Sequence, residues 1–126
     1  MMNLTPTLHD PELGACAFTV ERLTYTRDRG TVTPVSRVFS AIGCVHPATP
    51  EMLEALPEED RRETCIAVYT DFPLSLGVDR GRTFTAPDRI HWGGETWRLV
   101  RLRSWPSFGY DQGIAVLLRE EASEAG

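Results

Sequence analysis

The chain has 126 residues and a mass of 14.1 kDa, with a net charge of −5, a pI near 5.1 and arginine at all 13 of its basic positions. That length fits one domain with a real core, and the acidic balance excludes a protein whose main work is gripping phosphates. The lack of lysine also excludes a phosphate loop of the Gly-rich Lys-Ser/Thr type.

Residues 1–14 are polar, carry Pro6 and Pro11 and show no period, so they read as an arm that is loose or ordered only by a partner. Residues 15–27 form the first strand candidate, with Phe18, Val20, Leu23 and Tyr25 as its apolar members. Asp28-Arg29-Gly30 turns the chain, and 31–45 resumes an extended, Val- and Thr-rich pattern. Pro34 cannot donate to a ladder, so the early half of that run is an edge or an entry segment.

A helix start follows. Thr49 can cap, Pro50 suits the first helical position, and Glu51 favours the positive end of the dipole. Met52, Leu53 and Leu56 continue at helical spacing until Pro57, giving two turns at most. Glu58-Glu59-Asp60-Arg61-Arg62 reads as a charged connector, and 64–70 as a strand. Residues 71–82 are the longest irregular piece, with Phe72, Leu74 and Leu76 among polar neighbours. Such residues mark a contact surface or fold back on the domain. Thr83–Thr85 reads as a short strand.

The most strongly patterned stretch is 89–119. Two apolar runs flank Gly93-Gly94, a dipeptide that supplies both positive φ angles of a tight hairpin turn. That turn sets Trp92 opposite Glu95, His91 opposite Thr96 and Ile90 opposite Trp97, and puts Ile90, Trp92, Trp97 and Leu99 on one face. Past Leu99 the apolar parity flips, which either a bulge or a strand covered on both sides would explain. Pro106-Ser107-Phe108-Gly109 is a second turn, and 110–119 a third strand with Ile114, Val116 and Leu118 on one side. The last residues, 120–126, form an acidic tail. The expected fold is mostly β: a small antiparallel barrel or sandwich of about six strands, spanning 15–119, with one short helix.

Chemistry is sparse. Cys16, Cys44 and Cys65 are odd in number and lack a CxxC pair, so reduced thiols in a cytoplasmic product are expected. His9, His46 and His91 have no metal-ligand spacing, and no Gly-x-Ser-x-Gly elbow seats a nucleophile. No catalytic residue, metal or cofactor is expected. No leader with a basic start and an apolar run is visible, and no stretch approaches the ~20 apolar residues that cross a bilayer, so no membrane partner is expected. Arg98, Arg101 and Arg103 run beside three tryptophans, a superficial likeness to a nucleic-acid platform. The alternative places the tryptophans in the core and the arginines against a neighbour's carboxylates.

Two blocks in fixed order resemble the head-completion or head–tail joining proteins of the neck of tailed bacteriophages and prophages. The first is Ala41-Ile42-Gly43-Cys44-Val45-His46-Pro47-Ala48-Thr49-Pro50, continuing through Leu53, Leu56-Pro57-Glu58 and Arg61 to Ile66-Ala67-Val68-Tyr69-Thr70. The second is Asp88-Arg89-Ile90, Trp92-Gly93-Gly94-Glu95-Thr96-Trp97-Arg98-Leu99-Val100, Trp105, Gly109-Tyr110 and Ala115. His46 stands where glutamine is more usual, Glu59 where glycine is expected and Trp97 where tyrosine is common.

The resemblance implies a structural role in the virion neck, without catalysis. Such proteins form a ring, expected here to be six- or twelve-fold, with a portal or adaptor ring above and a tail-terminator ring or tail tube below. DNA passes through the lumen without sequence-specific binding. Charge placement is compatible: residues 1–88 hold 8 Arg against 13 acids, while 89–119 hold 5 Arg against 2. A head-to-tail ring would bring those opposite signs together. The expected subunit or partner interface is Glu58, Glu59, Asp60, Arg61 and Arg62, with Arg98, Arg101 and Arg103 answering a neighbour's acids, and with Phe72 and Leu74 on the irregular loop. Two other readings compete: a tail-terminator or other connector ring, and a free-standing barrel binding single-stranded nucleic acid through Trp92, Trp97 and Arg101.

Overall fold

The computed structural model describes residues 15–118; the expected arm at 1–14 and tail at 120–126 lie outside them. Eight strands occur: β1 (Ala15–Asp28), β2 (Thr31–Pro47), β3 (Cys65–Thr70), β4 (Val78–Asp79), β5 (Thr83–Thr85), β6 (Arg89–Trp92), β7 (Glu95–Trp105) and β8 (Tyr110–Leu117). Two short helices, α1 (Pro50–Glu54) and α2 (Glu58–Arg61), connect β2 to β3. All pairings are antiparallel. The order is β2-β3-β8-β7-β6-β1-β5-β4, and the additional β2–β1 pairing makes six of these strands a closed circuit.

Closure follows from the way β1 divides its second edge. Thr19–Glu21 pairs with β6, whereas Thr24–Thr26 pairs with β5. Below this fork the sheet curls into a barrel-like circuit. Above it β2, β1, β5 and β4 form an open four-stranded ribbon. Tyr25 stacks on Phe84 at 4.7 Å between ring centres, and the Arg27 guanidinium lies 4.3 Å from the Phe84 ring centre. The early half of β2 has one strand partner among the described residues, as Pro34 requires, because β3 pairs only with Gly43–Pro47.

Every strand of the circuit contributes to the interior, which gathers Phe18, Val20, Ala41, Ile66, Val68, Ile90, Trp97, Leu99 and Ala115. Each large aliphatic removed from water there is worth about 1.5–3 kcal/mol. Gly113 faces this interior, where a Cβ would come within 2.7 Å of Leu99 Cδ1 and 3.2 Å of Leu74 Cδ1. Leu74 belongs to the same core, so the irregular 71–77 segment folds back as a plug. Among the described residues only Leu76, of the three apolar residues noted in that loop, stays exposed.

The parity flip in β7 is a bulge: Leu99 opposes Ala115 and Arg101 opposes Ile114, with Val100 as the extra residue. Two residues facing one partner turn Val100 and Arg101 to the outside together and return Leu102 to the interior. Val100 thereby joins a second apolar cluster on the outer face, with Leu56, Cys65, Ile114 and Val116, roofed by Met52 and Leu53. Ile114 and Val116 therefore sit under the helices, and the smaller Ala115 and Gly113 face inward.

Local chemistry explains the helices. The Thr49 hydroxyl accepts from Met52 N at 3.3 Å and Pro50 opens α1. Within the charged 58–62 connector, Glu58–Arg61 forms one helical turn, with Pro57 at its N-cap and three acids at the positive end of its dipole. The strand β4 inside the irregular stretch has only two residues, too few to show a period.

A buried carboxylate fastens the fork. Asp88 is fully buried. Arg22 donates to it through Nε at 2.9 Å and Nη2 at 2.8 Å, and Ser75 N donates at 2.8 Å. The same guanidinium donates to Pro73 O at 2.9 Å and lies against both the Phe39 and the Phe72 ring, 5.6 and 5.7 Å from their centres. Asp88 also uses its backbone, receiving Leu99 N at 2.9 Å and donating to Ser75 O at 2.9 Å. Asp88→Ala should cost about 3 kcal/mol or more, because Arg22 loses its counter-charge and Ser75 N its acceptor. Asp88→Asn should cost less, as an amide oxygen still accepts. Urea unfolding checks the ranking, and an alanine variant within error of wild type would remove Asp88 from this role.

The hairpin turn is tested separately. Gly93 and Gly94 have φ of 65° and 77° with open space where a Cβ would stand. Valine at both should therefore lower stability by a few kcal/mol through backbone strain alone, roughly the cost of two β-branched residues at positive φ. An unchanged melting temperature would contradict that origin.

Candidate interaction surfaces

The residues expected at an interface divide between two places. Glu58, Glu59, Asp60, Arg61 and Arg62 lie on and just after α2, and the bulged strand β7 carries Arg98, Arg101 and Arg103 on the same outer side of the barrel. Phe72 and Leu74 lie elsewhere, at the plugged end. Leu74 is 6% exposed, which corrects its expected place on a contact surface: this side chain turns into the core at the barrel end, where it would otherwise face water. Phe72 is partly buried and packs on Phe39 at 5.3 Å between ring centres.

Several of the charges are answered within one chain. Arg98 Nη2 is 3.6 Å from Asp60 Oδ1, with the Asp60 side chain 17% exposed. Arg61 Nε donates to Leu56 O at 3.0 Å, and Arg62 pairs with Glu58 at 3.1 Å on the exposed side of the helix. Arg98 therefore has an acid within its own chain, since Asp60 is brought against it by the 55–64 connection, while its side chain stays 42% exposed. Surface pairs such as Arg62–Glu58 contribute little alone. Arg101 is exposed, and Arg103 stacks over Trp105 at 4.7 Å. Both line a cleft of about 200 Å³ with Glu51, Met52, Ala55, Gln112 and Ile114. Asp60, Glu59, Glu63 and Arg98 line a neighbouring one of about 420 Å³.

The nucleic-acid platform does not assemble. Trp97 is 4% exposed inside the barrel, with its indole N–H donated to Trp92 O at 3.1 Å, whereas Arg101 points to the outer face. Stacked bases need aromatic faces open to solvent.

The structure brings together a polar cluster that sequence spacing did not reveal. His91 Nε2 lies 3.0 Å from Glu21 Oε1, its Nδ1 lies 3.2 Å from the Thr96 hydroxyl, and Ser36 donates to Glu21 Oε2 at 2.9 Å. With Glu21 ionised, Nε2–H donates to the carboxylate and Nδ1 accepts from Thr96. Hydroxyl, imidazole and carboxylate stand in the order of a general-base relay. Here that order follows from register, since His91 and Thr96 are cross-strand partners beside the Gly93-Gly94 turn. The chain of bonds stitches β7, β6, β1 and β2 across the outer surface, next to an open cleft of about 510 Å³ lined in part by His91, Gly93, Gly94 and Thr96. The available signal in the sequence was the His91/Thr96 pairing. Nothing in the spacing pointed to Glu21, 70 residues away.

No family model matches the chain. An uncharacterized protein of Xylella fastidiosa (strain 9a5c) is 25% identical over 116 residues, which cover 92% of this chain and 84% of that relative. The similarity thus runs through nearly all of the described residues.

The hydrogen bond from His91 holds the Glu21 carboxyl below its ordinary value of 4.5, opposed by burial and assisted by Ser36, by the charge of His91 when that ring is protonated, and by Arg89. A lowered carboxylate pKa adds stability that is fully present above the unfolded value and lost as pH falls through the folded one. Glu21→Gln should therefore lower the melting temperature at neutral pH, by less than about 1 kcal/mol of stability after solvent screening. The gap from wild type should shrink as pH drops below 4.5. Thermal melts across that range check it, and a gap that is constant with pH would contradict it.

Proposed function

We propose that this protein is a structural subunit of the neck of a tailed bacteriophage or prophage, forming the ring that closes the filled head and docks the tail. The observation that carries the reading is the ordered pair of sequence blocks, at 41–70 and 88–115, that resemble the head-completion proteins. In the fold those blocks become the end of β2, the two helices and β3, then β6, β7 and most of β8. They are neighbours in the sheet order β2-β3-β8-β7-β6, so the resemblance covers one continuous wall and not scattered pieces.

The physical character of the surface supports the same reading. A ring through which DNA slides is served by an acidic protein, because tight phosphate contacts would hold the DNA in place. The outer face carries arginines on β7 beside an acidic helical turn. Arg101 and Arg103 are exposed there and can meet carboxylates of a neighbour or of an adjoining ring, where paired charges fix register more than they add affinity. The portal or adaptor above and the tail-terminator or tube below are the expected partners.

The test is electron microscopy of particles made without this protein. Filled heads and free tails should accumulate unjoined, with heads that lose DNA, and supplying the protein in trans should restore joined particles. Normally joined particles in its absence would overturn the assignment.

A further inference from the structure

Above the fork, the ribbon β2-β1-β5-β4 has two open edges. On one side, residues 31–41 of β2 pair with β1 and with no other described strand. On the other, β4 pairs with β5 and with no other described strand. A long apolar edge is a ready template for another strand, and proteins usually blunt one with charge or proline. Here Pro34 removes at most one donor, and Arg37 is the single ionisable residue between 31 and 41.

The exposed large apolar side chains among the described residues gather at these two edges. Val32, Val35, Val38 and Ile42 lie on β2, with Val38 66% exposed, and Leu76 and Val78 lie at β4. The edges also complement one another in charge and direction. The single ionisable residue of 76–79 is Asp79, which lies 3.5 Å from Arg27 and accepts from Gly81 N yet is 70% exposed, and it is opposite in sign to Arg37. Since β1 is antiparallel to both β2 and β5, and β5 to β4, strands β2 and β4 run in opposite senses. When one copy is set beside the next in the same orientation, β4 of the second meets β2 of the first antiparallel, and the alternation continues unbroken.

We propose that copies of this chain associate edge to edge, the 31–41 edge of one pairing with the 76–79 edge of the next to extend the ribbon. The contact uses two different patches, so it is head-to-tail and generates a ring or a filament according to its rotation. It names the subunit contact of the ring proposed above and rests on that reading only for closure.

The test uses the full chain and two blocked variants. Val35→Lys with Val38→Lys blocks β2, and Leu76→Lys with Val78→Lys blocks β4. Wild type should sediment as species larger than a monomer. Each variant alone should lose every species above monomer while keeping the wild-type melting temperature. Mixed in equal amounts, the two should form a dimer, because each retains the edge the other lacks. If a double variant fails to fold, Val38→Lys or Val78→Lys alone replaces it. The proposal is overturned if the β4-blocked variant dimerises by itself, which would mean that β2 pairs with β2. It is equally overturned if the blocked variants assemble like wild type, or if wild type stays monomeric at every attainable concentration, its edge covered by residues 1–14 of its own chain. Open fibres, or normal particles without the protein, would overturn the neck reading and leave this contact standing.

Discussion

The pairing of Asp88 with Arg22 is the constraint on which the rest of the chain depends. It lies where β1 passes from β6 to β5, the point at which a closed circuit gives way to an open ribbon. A fully buried carboxylate is tolerable only if its charge and lone pairs are met, and here a two-pronged guanidinium and Ser75 N meet them. Those bonds come from residues 13 and 66 positions away, so forming them places the irregular 71–88 connection against β1. The Arg22 contact with Pro73 O and the rings of Phe39 and Phe72 carries the same constraint into the plug. From there Leu74 N reaches Asp111 at 3.1 Å on β8.

Once the fork is held, each surface acquires a distinct character. The barrel interior is filled by side chains from all six circuit strands and by Leu74. The outer face of β3, β8 and β7 is covered by the two short helices, which cannot stand alone at this length and persist by packing Met52, Leu53 and Leu56 on Ile114 and Val116. The bulge at Val100 serves both layers, giving one residue to the outer cluster while returning Leu102 to the interior. Among the described residues, what remains open is the ribbon, whose two edges carry apolar side chains.

The uneven charge along the chain reads differently once folded. An acidic first part and a basic 89–119 segment look made for contact between subunits, and the exposed Arg101 and Arg103 keep that capacity. Yet Asp60 and Arg98 satisfy one another inside a single chain, because the connection between β2 and β3 crosses the outer wall of the barrel. Part of the charge asymmetry therefore organises the monomer.

By itself the sequence determined the elements whose signal is local. Gly93-Gly94 set the register from Ile90–Trp97 to Trp92–Glu95, as its two positive φ angles demand. Thr49 and Pro50 started a helix, Pro34 kept half of β2 off the centre of a sheet, and alternation put Ile90, Trp97 and Leu99 in the core. The parity flip after Leu99 announced a defect without saying which one. Tertiary structure alone decided that it was a bulge, since the choice depends on Ala115 and Ile114 across the strand pair. It also decided that Leu74 is core, that β4 exists, and that Glu21, Ser36, His91 and Thr96 meet. The reason is common to these cases. A turn, a cap or an alternating face is written within a few residues, whereas a plug, an edge or a polar cluster is made by residues that become neighbours only when the sheet closes.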